Sequence, residues 1–216
     1  MRIGIDGSEL AGQCTGVGRY LSSLCHLWFQ KEFGANHEFL VYTPKDGVRV
    51  EVAGWKESNF HNRPISGRPG VWWEHVTLPR IARHDRLDVF FGPSYSVPLG
   101  LQTPRVVTLH DISFALHPEW FNKREGLRRR WLAYHAIRAA KLIISVSQFS
   151  RQEIIRYYDV DPKQVCVVHN GIHHLSVATS VERSSLVLYV GSLFNRRHLP
   201  TLIAAFAKII PHLDMQ

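Results

Sequence analysis

In this 216-residue chain the short apolar run Arg2–Asp6 gives way to a loop holding Gly7, Gly12, Gly16 and Gly18. Glycine allows positive φ and lets a ligand reach the backbone, and the start of a following helix offers free N–H groups and partial positive charge to an anion. Gly16, Val17 and Gly18 are therefore candidates for cradling a phosphate or a sugar, the alternative being a tight turn and nothing more. The spacing fits neither G-x-G-x-x-G nor G-x-x-x-x-G-K-[ST], which removes support for dinucleotide oxidoreductases and P-loop nucleotide hydrolases.

His110 and Asp111 follow the apolar run Arg105–Leu109 directly, at the carboxyl edge of the expected sheet, where open α/β folds bind ligands. Histidine there can donate a hydrogen bond to a sugar hydroxyl or phosphate, and the carboxylate beside it can fix its orientation, so the pair is the catalytic candidate. A strand-end histidine satisfied by backbone is the competing reading. Ser94 and Tyr95, after the Gly92-Pro93 turn, reach the same edge.

Asn195-Arg196-Arg197-His198 precedes a second helical stretch, where arginine could hold phosphate oxygens in a bidentate fork or simply be solvated. Arg124, Arg128, Arg129, Arg130 and Arg138 load one helix with charge among Leu127, Trp131, Leu132, Tyr134 and Ile137. Such a helix could lie on an anionic membrane or bind nucleic acid, or be a surface crossover helix with its arginines in water. No nucleic-acid-binding motif accompanies it. The 13 histidines form no H-E-x-x-H, and there is no Gly-x-Ser-x-Gly elbow, so neither a zinc site nor acyl transfer is expected.

These residues need a scaffold, and the pattern supplies one. Short β-branched or aromatic runs alternate with amphipathic stretches, which predicts βα units feeding a mostly parallel, Rossmann-like α/β sheet with helices on both faces. Strands are expected near Arg2–Asp6, Glu38–Thr43, Asp88–Phe91, Arg105–Leu109, Leu142–Val146 and Val165–Val168, with another at Leu186–Val190. Helices are expected over Gly18–Phe33, Gly70–Ile81, Glu125–Ala140, Gln148–Tyr158 and His198–Ile210, with Ser147 as an N-cap. Residues 1–173 then form a first domain, 174–185 a linker, and 186–216 the opening βα unit of a second domain.

Composition is ordinary for a globular chain, 45% hydrophobic and 20% charged. Its net charge of +8 suits an anionic partner without choosing among metabolite, nucleic acid and membrane. No apolar run approaches the roughly 20 residues of a membrane-spanning helix, and no signal-peptide pattern opens the chain, which reads as cytoplasmic. Cys14, Cys25 and Cys166 are odd in number and far apart, so reduced thiols are expected.

Taken in order, several runs resemble group 1 glycosyltransferases, the retaining nucleotide-sugar-dependent family 4 with the GT-B fold, especially its mannosyltransferase-like members. They are Ile3-Gly4-Ile5-Asp6 with Thr15-Gly16-Val17-Gly18-Arg19-Tyr20, then Asp88-Val89-Phe90-Phe91-Gly92-Pro93 and Val107-Thr108-Leu109-His110-Asp111. Ser145-Val146-Ser147-Gln148-Phe149-Ser150, Val167-Val168-His169-Asn170-Gly171-Ile172 and Tyr189-Val190-Gly191-Ser192 follow. The resemblance implies a two-domain enzyme in which the N-terminal domain takes a glycan or lipid-linked acceptor and the C-terminal domain a nucleotide diphosphate sugar. It implies that Gly16 and Gly18 approach donor phosphate or acceptor, and that His110 contacts the transferred hexose. Arg197, with Arg196 beside it, falls where the family usually has a diphosphate-binding lysine, and Ser8 where many members have arginine. No metal or other cofactor and no nucleic-acid partner is expected, the leaving diphosphate being stabilised by basic side chains and helix ends. The chain also stops before the family's paired-glutamate motif. It is therefore expected to be a fragment or a shortened product, and a non-catalytic acceptor-binding module is the alternative to an enzyme.

Overall fold

The computed structural model describes residues 1–11, 15–30, 36–44, 59–68, 70–172, 187–191 and 197–210. Among these residues seven strands form one sheet in which every pairing is parallel. They are β1 (Arg2–Asp6), β2 (Glu38–Pro44), β3 (Phe60–Ile65), β4 (Val89–Gly92), β5 (Arg105–Leu109), β6 (Leu142–Ser145) and β7 (Val165–Val167), in the spatial order β3-β2-β1-β4-β5-β6-β7. Every strand expected up to residue 168 is present to within one residue at each end.

Helices cover both faces, as burial of a parallel sheet requires. Phe39 and Val41 of β2 pack with Ile5 and with Leu21 and Cys25 of α1 (Gly16–Gln30). Their alternating neighbours Leu40 and Tyr42 pack on the opposite face with Trp73, Leu78 and Phe90. A third cluster joins Val107, Leu109 and Ile143 to Ala133, Ala136 and Ile137 of the arginine-rich helix and to Ile154.

The helix expected over Gly70–Ile81 is not one regular helix. Trp73–Thr77 winds as a π turn, and a short α-helix, α2 (Leu78–Ala82), continues it. Downstream come α3 (Ser113–Leu116), α4 (Lys123–Ala139) and α5 (Gln148–Tyr158). Ser147 caps α5 as expected, its side chain accepting from Ser150 N at 3.0 Å. Asn122 does the same for α4 through Arg124 N at 3.1 Å.

Strand β3 has no counterpart in the sequence reading. Only its end residues Phe60 and Ile65 are buried, so its interior shows no apolar run. It lies at the sheet edge, where Pro64 is tolerated because no further strand needs its N–H. Arg63 of β3 pairs with Asp85, which also accepts from the Tyr42 hydroxyl at 2.8 Å.

The strand expected over Leu186–Val190 is a correction. Residues 187–190 carry no strand and Val187, Leu188 and Val190 are exposed, because no described neighbour offers them a ladder. The helix after them is present as α6 (Leu199–Ile209). Gly12, Cys14, the linker 174–185 and Arg196 lie outside the described residues. Cys25 is buried, its thiol pushed up to about 12 by desolvation, and Cys166 is half-buried; both are free.

The site follows from the topology. From β1 the chain turns to β2 on one side, while β4 pairs on the other, so the loops leaving β1 and β4 part and open a crevice at the carboxyl ends.

Candidate functional site

The crevice is a cavity of about 500 Å³ reaching from Asp6 and Gly16 after β1, past Ser94 and Ser96 after β4, to Arg128 and Arg129 of α4. A smaller cavity of about 150 Å³ adjoins it, holding His110 and Asp111. Val17, Ser94, Tyr95 and Arg129 line both, so the glycine turn and the histidine share one hollow.

The glycine loop is built differently from expectation. Neither Gly16 nor Gly18 adopts positive φ; among the described glycines only Gly70 does, at 77°. The Thr15 hydroxyl accepts from Gly18 N at 3.0 Å and donates to Glu9 Oε2 at 2.6 Å, which ties the start of α1 to the loop. A Cβ on Gly18 would stand 2.8 Å from the Glu9 carbonyl oxygen, so that glycine serves internal packing. A Cβ on Gly16 would meet nothing within 4 Å, which leaves its backbone open to the cleft.

His110 is oriented by backbone and not by Asp111. Its Nε2–H donates to the Pro93 carbonyl at 3.0 Å, and the Tyr20 ring meets it edge-on with centroids 4.9 Å apart. In the neutral ring Nδ1 is then the acceptor, suited to a hydroxyl proton and not to donation as expected. The Asp111 carboxylate is engaged elsewhere, accepting from Ser113 N at 2.9 Å and Ser113 Oγ at 2.6 Å, a local bond that Asp readily makes to the backbone two residues on.

The sequence leaves the arginines of α4 open among membrane, nucleic acid and solvent; in the structure Arg128 and Arg129 line the cleft. Glu125 accepts from Arg128 at 2.9 and 2.7 Å and from Arg129 Nε at 2.7 Å. These two guanidinium groups hold the Glu125 carboxyl down at about 2. Arg129 also lies over the rings of Tyr95 and Phe121, 5.4 and 5.8 Å from their centroids. Burial raises the Tyr95 phenol while Arg129 and Arg128 oppose the shift.

Opposite the arginines the cleft is acidic. Burial raises the Asp6 carboxyl against hydrogen bonds from Ser8, with Glu9 adding to the rise. Glu74, on the π turn, is pushed to about 8, first by burial and then by Asp6. Beside it His75 is held down at about 4 by burial. Glu74 had no place among the sequence candidates; its only signal was a carboxylate inside the apolar run Val71-Trp72-Trp73-Glu74-His75-Val76.

Arg197 is exposed, ahead of α6, and lines neither cavity. Among the described residues no group of three or more His, Cys, Asp or Glu side chains is placed to hold a metal ion. No described helix is long and apolar enough to cross a membrane.

The family model of glycosyltransferase family 4 matches residues 15–174, which contain the glycine turn, the histidine and the arginine helix. The chain belongs to glycosyltransferase family 4. It is similar to the O-antigen chain mannosyltransferase B of Escherichia coli, 28% identical over 130 residues, covering 55% of this chain and 34% of that protein. It is similar also to the O-antigen chain mannosyltransferase RfbU of Salmonella typhimurium, 21% identical over 139 residues, covering 63% and 38% respectively. The chain thus spans little more than a third of the length of these curated relatives. Among solved structures it matches Anabaena Alr3699/HepE in complex with UDP-glucose, with a TM-score of 0.50 at 19% identity, over 79% of this chain and 44% of that one. That likeness agrees with a Rossmann-like GT-B half as the fold of this family 4 chain.

Proposed function

We propose that this family 4 chain is the acceptor-side half of a retaining glycosyltransferase that moves a hexose, mannose for preference, from a nucleotide diphosphate sugar to a glycan or lipid-linked acceptor. The observation that carries the reading is the shared hollow at the β1/β4 switch point, with an open helix start, a backbone-oriented histidine and two fixed arginines around it. In this reading Gly16 and Val17 let donor phosphate or acceptor approach the start of α1, where free N–H groups favour an anion. His110 accepts from a hydroxyl of the transferred sugar through Nδ1. Ser94 and Tyr95 contact the acceptor. Arg197, with Arg196, meets the diphosphate, and no metal is required because cationic side chains and helix ends carry the leaving charge.

The relatives' names supply the preference for mannose, and the exposed Leu127, Trp131 and Tyr134 among the arginines of α4 support a peripheral seat on an anionic membrane, at its inner face. The test is transfer. A form extended to the full length of these relatives, incubated with a panel of nucleotide sugars and acceptors, is expected to transfer hexose or hydrolyse donor; finding neither rejects the proposal. A second reading, a non-catalytic acceptor-binding module, is favoured by the fact that the described lining of the cleft comes from residues between 6 and 132. Calorimetry on the 216-residue chain separates the two: acceptor affinity without nucleotide-sugar affinity supports the module.

A further inference from the structure

The floor of the larger cavity holds a carboxyl group that the reading above does not use. Glu74 lies on the π turn Trp73–Thr77, a one-turn widening of the helix that recurs at functional sites. Its Oε1 is shut off from bulk solvent and has no hydrogen-bond partner among the described residues. Its Oε2 lies 3.5 Å from His75 Nε2. Leu99 N donates to His75 Nδ1 at 3.4 Å, so the ring hydrogen is on Nε2, turned toward Glu74 and toward the Ser96 hydroxyl 3.4 Å away. Asp6 enters the same cavity from β1, and Arg128 from α4.

A buried carboxyl oxygen left without a partner is destabilising, and a folded chain keeps such a group where something else meets it. A metal ion is a poor candidate, since the described residues offer no third ligand. An anion set against Glu74 is worse, because Asp6 stands close enough for its charge to raise the Glu74 carboxyl. An uncharged hydroxyl fits both constraints: it donates to a carboxylate oxygen, accepts from a protonated carboxyl, and brings no charge beside a buried group.

Building on the acceptor-side reading, we propose that Glu74, together with Asp6 and Ser96, is a specificity subsite that takes a neutral sugar hydroxyl of the acceptor and rejects acidic sugars at that end of the cleft. Burial favours the protonated form of the Glu74 carboxyl, which can serve as donor and acceptor at once. Arg129, which also lines the adjoining cavity, sets the polarity of the bound molecule: hydroxyls toward Glu74, any anionic group toward Arg129.

Methyl α-D-mannopyranoside serves as the neutral probe and methyl α-D-glucopyranosiduronate as the acidic one, titrated into the 216-residue chain. The Glu74 carboxyl carbon is followed by NMR, its signal identified by its loss in Glu74→Gln. The neutral glycoside is expected to shift that signal saturably and to bind about tenfold more tightly than the uronate. Glu74→Gln, which keeps a donor and an acceptor, is expected to retain affinity within about threefold, whereas Glu74→Ala loses about tenfold. A Glu74 signal unmoved by the neutral glycoside, equal binding of both probes, or undiminished binding by a folded Glu74→Ala overturns the subsite. Should Glu74→Ala not fold, the wild-type signal and the Glu74→Gln affinity decide alone. Donor turnover by the extended form is measured separately, so a silent Glu74 in an active transferase sinks the subsite and leaves the transferase reading intact.

Discussion

The guanidinium of Arg129 lies over the ring of Tyr95, 5.4 Å from its centroid, while Glu125 takes its Nε hydrogen at 2.7 Å. A planar, doubly held cation at the mouth of two adjoining cavities is a fixed positive wall rather than a mobile surface charge. Lysine keeps the charge and loses both the plane and the fork. Arg129→Lys is expected to lower the urea midpoint by an amount equivalent to about 0.5–1 kcal/mol, and Tyr95→Leu by a similar amount. A midpoint unchanged in both variants would show that the stack contributes nothing.

The two glycines of the α1 turn should respond oppositely to alanine. Gly18→Ala forces a methyl against the Glu9 carbonyl oxygen at 2.8 Å and is expected to cost about 1–3 kcal/mol. Gly16→Ala meets open space, so stability should stay within about 0.5 kcal/mol, with a small gain from helix propensity allowed. Chemical denaturation of both variants decides this, and equal losses would refute the assignment of Gly18 to packing and Gly16 to the cleft.

Stability should also depend on pH through the neighbours Glu74 and His75, in opposite directions. Glu74 rises from 4.5 to about 8, so the folded chain keeps a proton that the unfolded chain releases. Its contribution is complete below pH 4.5 and is lost as pH climbs through about 8, at most about 1.4 kcal/mol per pH unit. His75 falls from 6.5 to about 4, so its contribution is complete above 6.5 and is lost as pH drops through about 4. The groups facing Glu74 are Asp6, Ser96, His75 and Arg128. Thermal melts from pH 4 to 9 should therefore show a fall toward alkaline pH that Glu74→Gln removes. An alkaline arm that persists in that variant would assign it to another group.

At His110 the expected split is between turnover and stability. His110→Ala loses the 3.0 Å bond to the Pro93 carbonyl, a cost of about 1 kcal/mol, but leaves the strand beneath intact. In the extended form, turnover should drop by at least a hundredfold while the melt moves by only a few degrees. Parallel loss of both would make the ring a structural strut.

For the membrane proposal, Leu127, Trp131 and Tyr134 are exposed on α4 beside Arg124 and Arg138. The chain should co-sediment with vesicles containing anionic lipid, and salt at about 0.5 M should weaken that association. Sedimentation that ignores salt, or that also occurs on neutral vesicles, argues against electrostatic attachment.

How much of this was legible in advance varies with the kind of interaction. Apolar strands such as Arg105–Leu109 stand out because both faces of a parallel sheet are buried, so composition alone marks them. The edge strand Phe60–Ile65 does not, since its interior faces solvent and obeys no apolar period. His110 and the turn at Gly16 stand out in the sequence because strand ends are where such folds bind ligands, and both line the cleft. Glu74 and Arg129 do not stand out, because their significance comes from helices swung over the crevice, a tertiary placement that local spacing does not encode. The expected partnership of His110 with Asp111 failed for a related reason: adjacency in sequence put the carboxylate within reach of Ser113 first.

The margins of the sheet carry a consequence for assembly. On one flank β3 presents polar residues and Pro64, and on the other β7 is only three residues long. Among the described residues neither flank offers the long run of unpaired amides that a second copy would need to extend the ladder, which is how natural sheets guard against accretion. A ladder running from one copy into the next is disfavoured at both of these edges.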